Sequence, residues 1–328
     1  MIEDTGMAVT RRRFITIAAA FAGASALPAP GRAAIGEAVR WRGVVMGAEA
    51  SILLYAPSRE VGRALIAACR DEIARLENEF SLYRPRSSLS RLNAAGTLAA
   101  PSLDFYRLVE DCRLYHHASG GAFDPTVQPL WPLYAAAGAG GPAAGDLAAA
   151  RALIGFDGVN ATTDRISFRR PGMAMTFNGI AQGYVTDRVA DLLRRRGATD
   201  VLLDLGEIRA LGSHTDGRPW RVAVPGFDDP LTPADEAVAT SAPSGTVFDA
   251  TGRAHHLFDP ATGESASHLA QVTVVAPTAT AADALSTALA IVPLERAQQV
   301  LDSAGRARAL CLTRDDGKIV LRSAARGD

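Results

Sequence analysis

The chain has 328 residues with 34 basic and 35 acidic side chains, a formal net charge of −1, and nearly half of its residues are apolar. A near-neutral protein of this kind carries no electrostatic footprint for nucleic acid or anionic lipid. Three Cys (Cys69, Cys112, Cys311) lie far apart with no CxxC pair, so neither a zinc site nor a disulfide framework is signalled and buried core thiols are expected.

The first residues read as an address rather than as structure. Thr10-Arg11-Arg12-Arg13-Phe14-Ile15 is a twin-arginine pattern, followed by a weakly apolar Ala- and Gly-rich run to Leu27 and then by Pro28 and Pro30. Basic region, short apolar region and small residues near Ala33 read as an export signal, a disordered basic arm being the plain alternative. The apolar run is shorter than the roughly 20 residues that span a bilayer. Cleavage is expected near Ala33 or Ala34, and no Cys nearby offers a lipid anchor. Removing residues 1–33 takes away four Arg and two acids, so 30 basic and 33 acidic residues remain, a net charge of −3. The expected organisation is an export signal over 1–33 and one domain over 34–328, acting in the periplasm after export by the twin-arginine route.

Along the rest of the chain, residues 44–55 read as a strand broken early by Met46-Gly47. Residues 59–80 place Val61, Leu65, Ile66, Ile73 and Leu76 at helical spacing. Residues 81–93 read as a polar loop, and 102–118 as a helix with Ser102 as its N-cap. Residues 134–148, rich in Gly, Ala and Pro, read as a surface loop. Strands over 165–168 and 173–176 lead to a glycine turn and a helix over 180–196. Residues 201–205, 220–224 and 255–258 read as further strands. A Val-rich strand over 271–276, a helix over 280–291 and a hairpin of 308–313 with 318–322 close the chain. Strands and helices mix without strict alternation, which favours α+β over a doubly wound sheet.

Five segments concentrate groups with chemical uses. Phe80 to Asn93 holds Tyr83, three Arg and an Asn, suited to a ring and a phosphate, though such a segment standing alone is more often a solvated loop. Gly120-Gly121-Ala122-Phe123-Asp124-Pro125 lets the backbone turn close to a ligand. There the extended residue before proline is expected to aim the Asp124 carboxylate outward. Thr176 to Arg188 is strand, glycine turn and helix, the arrangement that offers backbone N–H groups to a phosphate. It is neither a P-loop nor a GxGxxG. His255-His256 precede Phe258-Asp259-Pro260; neighbours on a strand point to opposite faces, so one His at most faces a site. Asp283 and Thr287 share one helix face with Ser286 beside them. These oxygen ligands suit a hard ion such as Mg²⁺, and a plain capped helix start would use the same residues.

In this order the five segments resemble the FAD:protein FMN transferases, the ApbE family once called thiamine-biosynthesis lipoproteins. The likeness runs from Met46-Gly47 to about Val292, through FSLYRPRSSLSRLN, GAFDPTV, NGIAQGYVTD, VLLDLGEIRALG, HHLFDPATG and VTVVAPTATAADALSTAL. The resemblance implies an ApbE-like, T-fold-related α+β fold of mixed sheets and helices, with FAD as substrate between the two halves. It implies Mg²⁺ at Asp283 and Thr287, with Ser286 and the main chain near Gly179 or Ala181 contributing. It implies a flavin-nucleotide lining of Met46, Tyr83, Ala122, Phe123, Asp124, Thr176, Gln182 and Phe258.

Thr176 and Gln182 stand where the family usually has an Asp and a Lys, and Met46-Gly47-Ala48 replaces Met-Gly-Thr. With the twin-arginine signal, these features look like the NosX-type branch associated with nitrous oxide respiration. The expected reaction is Mg²⁺-dependent transfer of FMN from FAD to a Thr or Ser hydroxyl of an exported or membrane flavoprotein, releasing AMP. His256 or Asp259 is the candidate base. Hydrolysis of FAD to FMN and AMP, or binding of FAD without chemistry, are the competing expectations.

Overall fold

The computed structural model describes residues 36–138 and 141–324. The twin-arginine segment lies outside the described residues. The chain begins with a hairpin of β1 (Glu37–Val45) and β2 (Ala48–Ala56). Met46 and Gly47 at its tip both have positive φ (50° and 80°), the two-residue turn whose twist matches the flanking strands. What the sequence presents as one strand over 44–55 is therefore the tip and second arm of a hairpin. The first arm alternates Arg with small and apolar residues, which weakened its signal.

An eight-stranded sheet, antiparallel throughout rather than mixed, has the order β1-β2-β6-β7-β8-β9-β10-β11. Its later strands are β6 (Val201–Asp204), β7 (Ile208–Leu211), β8 (Ala237–Ser241), β9 (Leu269–Ala276), β10 (Arg308–Thr313) and β11 (Lys318–Arg322). Its one break in chain order comes between β2 and β6. The insert there contains α1 (Arg59–Phe80), α2 (Ser88–Ala95), α3 (Leu103–Ala118), α4 (Leu130–Ala137), α5 (Ala144–Arg151) and α6 (Ala181–Arg195). It also holds a small sheet of β3 (Thr97–Ala99), β5 (Arg165–Phe168) and β4 (Val159–Ala161). Between β9 and β10 come α7 (Ala279–Ile291) and α8 (Leu294–Ser303).

The expected helices over 59–80, 102–118, 180–196 and 280–291 all form, as does the C-terminal hairpin. Three expectations fail for local reasons. The polar loop over 81–93 contains α2, because Ser87 caps it by accepting from the Ser90 N–H at 3.0 Å and Gly96 ends it in the left-handed region. The Gly/Ala insert is largely helical, in α4 and α5, because Ala outweighs the scattered glycines. Residues 173–176, 220–224 and 255–258 form no strand; Val222, His255 and Phe258 make isolated bridges only.

One sheet face is covered by α1, α6 and α7, and the apolar core between them includes Ile52, Leu54, Leu76, Val189, Val274 and Leu285. At its centre Phe80, Phe105, Phe177 and Tyr184 meet at tilted or edge-to-face angles, with centroids 5.4–6.2 Å apart. Trp220 and Val222 pack on the opposite face over Leu202, Ile208 and Val275. All three Cys are free and buried, and burial pushes the Cys69 thiol up to about 12 and that of Cys311 to about 11. No helix among the described residues is long and apolar enough to cross a membrane.

One carboxyl on the insert is held at a stability cost. Burial, then Asp187 and Glu110, push Asp111 up to about 6 from 3.8. The folded chain therefore holds this proton more tightly than the unfolded one. That stability is present below about pH 4 and lost as pH rises through about 6. Asp111→Asn is expected to raise unfolding free energy at pH 7.5 by about 1 kcal/mol after solvent screening. The gain vanishes at pH 4, which urea unfolding at the two pH values checks.

Candidate active site

A cleft opens between the insert and the end of the large sheet. It is lined by Ala122, Phe123, Asp124, Thr176, Asn178 and Gly179 from the insert, by Thr240, Ser241, Ala242 and Gln271 from β8, β9 and the loop after β8, by His256 and Phe258, and by Asp283 and Thr287 of α7. Trp131 and Val127 add an apolar end, backed by Phe248 and Tyr134.

Helix α7 is pinned to α6 by two carboxylates acting in opposite directions. Asp187 on α6 accepts from the N–H groups of Ala279 and Thr280, each at 2.8 Å, and from the Thr280 hydroxyl at 2.7 Å. That satisfies the open N–H groups of the α7 start. Asp283 on α7 accepts from the Gly183 N–H at 3.0 Å through Oδ2. The helices approach so closely that a Cβ on Gly183 would lie 2.2 Å from the Ala279 carbonyl oxygen. The motif glycine thus serves helix packing, and its N–H fixes the carboxylate that faces the cleft.

Gly179 lies against Thr287: a Cβ there would sit 2.8 Å from Thr287 Oγ1. Asp283, Thr287 and the Gly179 main chain therefore form one oxygen-rich wall. Among the described residues no three His, Cys, Asp or Glu side chains gather as a metal cluster. A cation at this wall would be held by one carboxylate with hydroxyl and main-chain oxygens, a donor set that fits a hard ion such as Mg²⁺. Ser286, expected beside it, is wholly buried behind the wall. Its hydroxyl donates to the Asp283 carbonyl at 3.0 Å and lies 2.8 Å from Ser241 Oγ.

The insert side is held by two bridges. Asn93, from the arginine-rich segment, donates to the Met175 carbonyl and accepts from the Met175 N–H, both at 2.8 Å. Thr176 donates its N–H to the Pro125 carbonyl at 2.8 Å, and its hydroxyl accepts from the Asn178 N–H at 3.2 Å. Asp124 is extended as expected, with φ −135°, but its carboxylate turns inward instead of outward. It accepts from the Thr126 N–H and hydroxyl at 2.8 and 2.5 Å and from the Phe156 N–H at 3.1 Å. A buried carboxylate needs such donors; burial still pushes it up. His116 donates through Nδ1 to the Phe123 carbonyl at 3.0 Å and braces the same corner.

The two adjacent histidines face different ways although residues 255–258 form no strand. His255 is buried; it donates through Nε2 to the Ala266 carbonyl at 2.7 Å, and its Nδ1 accepts from the Leu257 N–H at 3.3 Å. Burial pushes it toward the neutral form. His256 lines the cleft. Its Nδ1 lies 3.1 Å from the Thr246 carbonyl, an acceptor only, so Nδ1 carries the proton and Nε2 is the basic nitrogen. Asp259 is taken up by a turn, accepting from the Ala261 N–H at 2.9 Å through its side chain and from the Gly263 N–H at 2.7 Å through its carbonyl.

Other expected lining residues fall outside the cleft walls. The Met46 N–H donates to Glu77 at 2.8 Å, the carboxylate that also pairs with Arg84, so Met46 and the Tyr83 loop gather around Glu77. Tyr83 itself is 67% exposed. Gln182 and Ala181 are buried on the inner side of α6. The Ala181 N–H goes to the Phe177 carbonyl at 2.8 Å. Among residues the sequence did not single out, Trp131, Asn178, Ser241 and Gln271 line the cleft. Ser241 had one available signal, a Ser at a strand end before Ala-Pro-Ser-Gly.

The ApbE family model matches residues 46–311. The FAD:protein FMN transferase of Haemophilus influenzae is 29% identical over 300 residues, covering 83% of this chain and 84% of that protein. That of Vibrio cholerae is 30% identical over 304 residues, covering 86% and 89%. Among solved structures, the flavin transferase ApbE from Vibrio cholerae aligns with TM-score 0.76 and 27% identity, over 88% of this chain and 98% of that one. The apo flavinyl transferase ApbE of Pseudomonas stutzeri gives 0.76 and 28%, over 89% and 96%. With a model match over most of its length and an α+β architecture shared with these structures, the chain belongs to the ApbE family.

Proposed function

We propose that this protein transfers the FMN half of FAD to a Thr or Ser hydroxyl of an exported or membrane flavoprotein, releasing AMP. The observation that carries the reading is one cleft containing both an oxygen-donor wall, Asp283 with Thr287 and Gly179, and a histidine whose basic nitrogen is Nε2. The relatives bearing the name FAD:protein FMN transferase support it. The twin-arginine pattern supports action in the periplasm.

In the proposed reaction the acceptor oxygen bonds to the FMN-side phosphorus and the pyrophosphate P–O bond breaks. AMP leaves with the bridging oxygen. His256 Nε2 takes the hydroxyl proton, while its Nδ1–H stays on the Thr246 carbonyl and holds the ring. Asp283, Thr287 and Gly179 would hold Mg²⁺, which when bound supplies neutralisation of charge on the pyrophosphate. Trp131, Val127 and Phe258 give the cleft a dry, apolar end for a planar ring. Gln182 lies behind this surface, so exchanging a charged side chain for an amide there leaves the cleft lining itself unaltered.

His256→Gln is expected to lower the transfer rate by about 10²–10⁴-fold, the range for loss of a general base, with FAD affinity little changed. Stopped assays of AMP release, beside FAD titration by flavin fluorescence, check both halves. The reading as a whole is tested with purified protein, FAD, Mg²⁺ and an exported flavoprotein as acceptor. Covalent flavin on the acceptor with matching AMP supports transfer. Free FMN with AMP makes the protein a hydrolase, and intact bound FAD makes it a carrier.

A further inference from the structure

We infer that Ser241, at the end of β8, is a positioning residue that turns the oxygen lone pairs of Thr287 toward the proposed cation; the inference rests on the oxygen wall being that cation's site. Three hydroxyls, those of Ser286, Ser241 and Thr287, lie in a row. Ser286 Oγ lies 3.0 Å from the Asp283 carbonyl, which can only accept, so the Ser286 proton is committed there. Ser241 Oγ lies 2.8 Å from Ser286 Oγ. With the Ser286 proton spent, Ser241 must donate and Ser286 accept. Thr287 Oγ1 lies 3.4 Å from Ser241 Oγ. The Ser241 proton being spent in turn, Thr287 donates to Ser241.

The relay therefore has one polarity: Thr287 to Ser241 to Ser286 to the Asp283 carbonyl. Its consequence is electrostatic. A hydroxyl pointing its proton into the cleft would repel a cation, whereas one pointing its proton at Ser241 presents oxygen. The lone pairs of Thr287 are left facing Gly179, the wall expected to bind. Ser286 ends the relay by bonding back to its own helix, the common local habit of a helical Ser. Ser286 thus acts from behind the wall, and Ser241 links it to the front. Ser241 itself lines the cleft.

Groups that orient a ligating residue typically contribute about 10–100-fold to metal affinity. The test is Mn²⁺ binding to the whole protein in the presence of FAD, followed by electron paramagnetic resonance, a readout independent of turnover. Ser241→Ala is expected to weaken Mn²⁺ binding by about tenfold or more, with the metal-free unfolding midpoint close to wild type. Ser241→Thr, which keeps the hydroxyl, is expected to restore it. Ser286→Ala removes the end of the relay from the far side and is expected to weaken binding in the same direction. Equal Mn²⁺ affinity in wild type, Ser241→Ala and Ser286→Ala would overturn the inference while leaving the cation site standing. No Mn²⁺ binding by wild type would remove the cation site, and the inference with it.

Discussion

Asp283→Ala is expected to cripple FMN transfer, lowering the rate by about a hundred- to a thousandfold, as removal of a principal charge-stabilising group does. The carboxylate is 3% exposed, and one oxygen is fixed by the Gly183 N–H at 3.0 Å. It therefore meets the cleft in one orientation. Asp283→Asn keeps the shape and the hydrogen bond but removes the charge, so it is expected to lose nearly as much activity while unfolding close to wild type. Similar rates for wild type and Asp283→Asn would show that charge at this position is irrelevant. Steady-state transfer with thermal unfolding of both variants separates chemistry from folding.

Gly183→Ala is the change expected to damage the fold most. A Cβ would meet the Ala279 carbonyl oxygen at 2.2 Å, the Ala279 carbonyl carbon at 2.6 Å and the Thr280 nitrogen at 2.8 Å. These are backbone atoms of a helix, which no rotamer change can move. Overpacking against yielding side chains costs about 1–3 kcal/mol; here α6 and α7 must separate, so a loss of about 3 kcal/mol or more is expected. Separation also withdraws the Gly183 N–H from Asp283 and strains the Asp187 cap on α7. The variant should therefore lose divalent-ion affinity under conditions where it is still folded. Urea unfolding measures the first effect and Mn²⁺ binding the second. Wild-type stability would contradict the helix contact.

These two positions also show what a sequence can and cannot reveal. Gly183 and Asp283 stand out by residue type, and their helices α6 and α7 follow from apolar spacing, with a Thr278 cap on α7. What joins them, a contact between residues a hundred positions apart, has no local signature. The same holds for Asn93 and Met175. Strand β8 carries little sequence signal because it is short and follows the Pro- and Asp-rich stretch 225–236, and Ser241 at its end shares that weakness. The inward turn of Asp124 depends on the Phe156 N–H, contributed from beyond α5. Residue types and order therefore marked the site, while tertiary contacts decided which atoms face it. Ser286 and Asp259 carry suitable chemistry, but their hydrogen bonds commit them elsewhere.

Group transfer to a protein hydroxyl is tested by a peptide mass map of an exported acceptor after incubation with this protein, FAD and Mg²⁺. The expected result is one FMN phosphodiester on a single Thr or Ser, one AMP released for each FMN attached, and neither product with Asp283→Ala. An unmodified acceptor with FAD intact, or AMP released with FMN left free in solution, would contradict it.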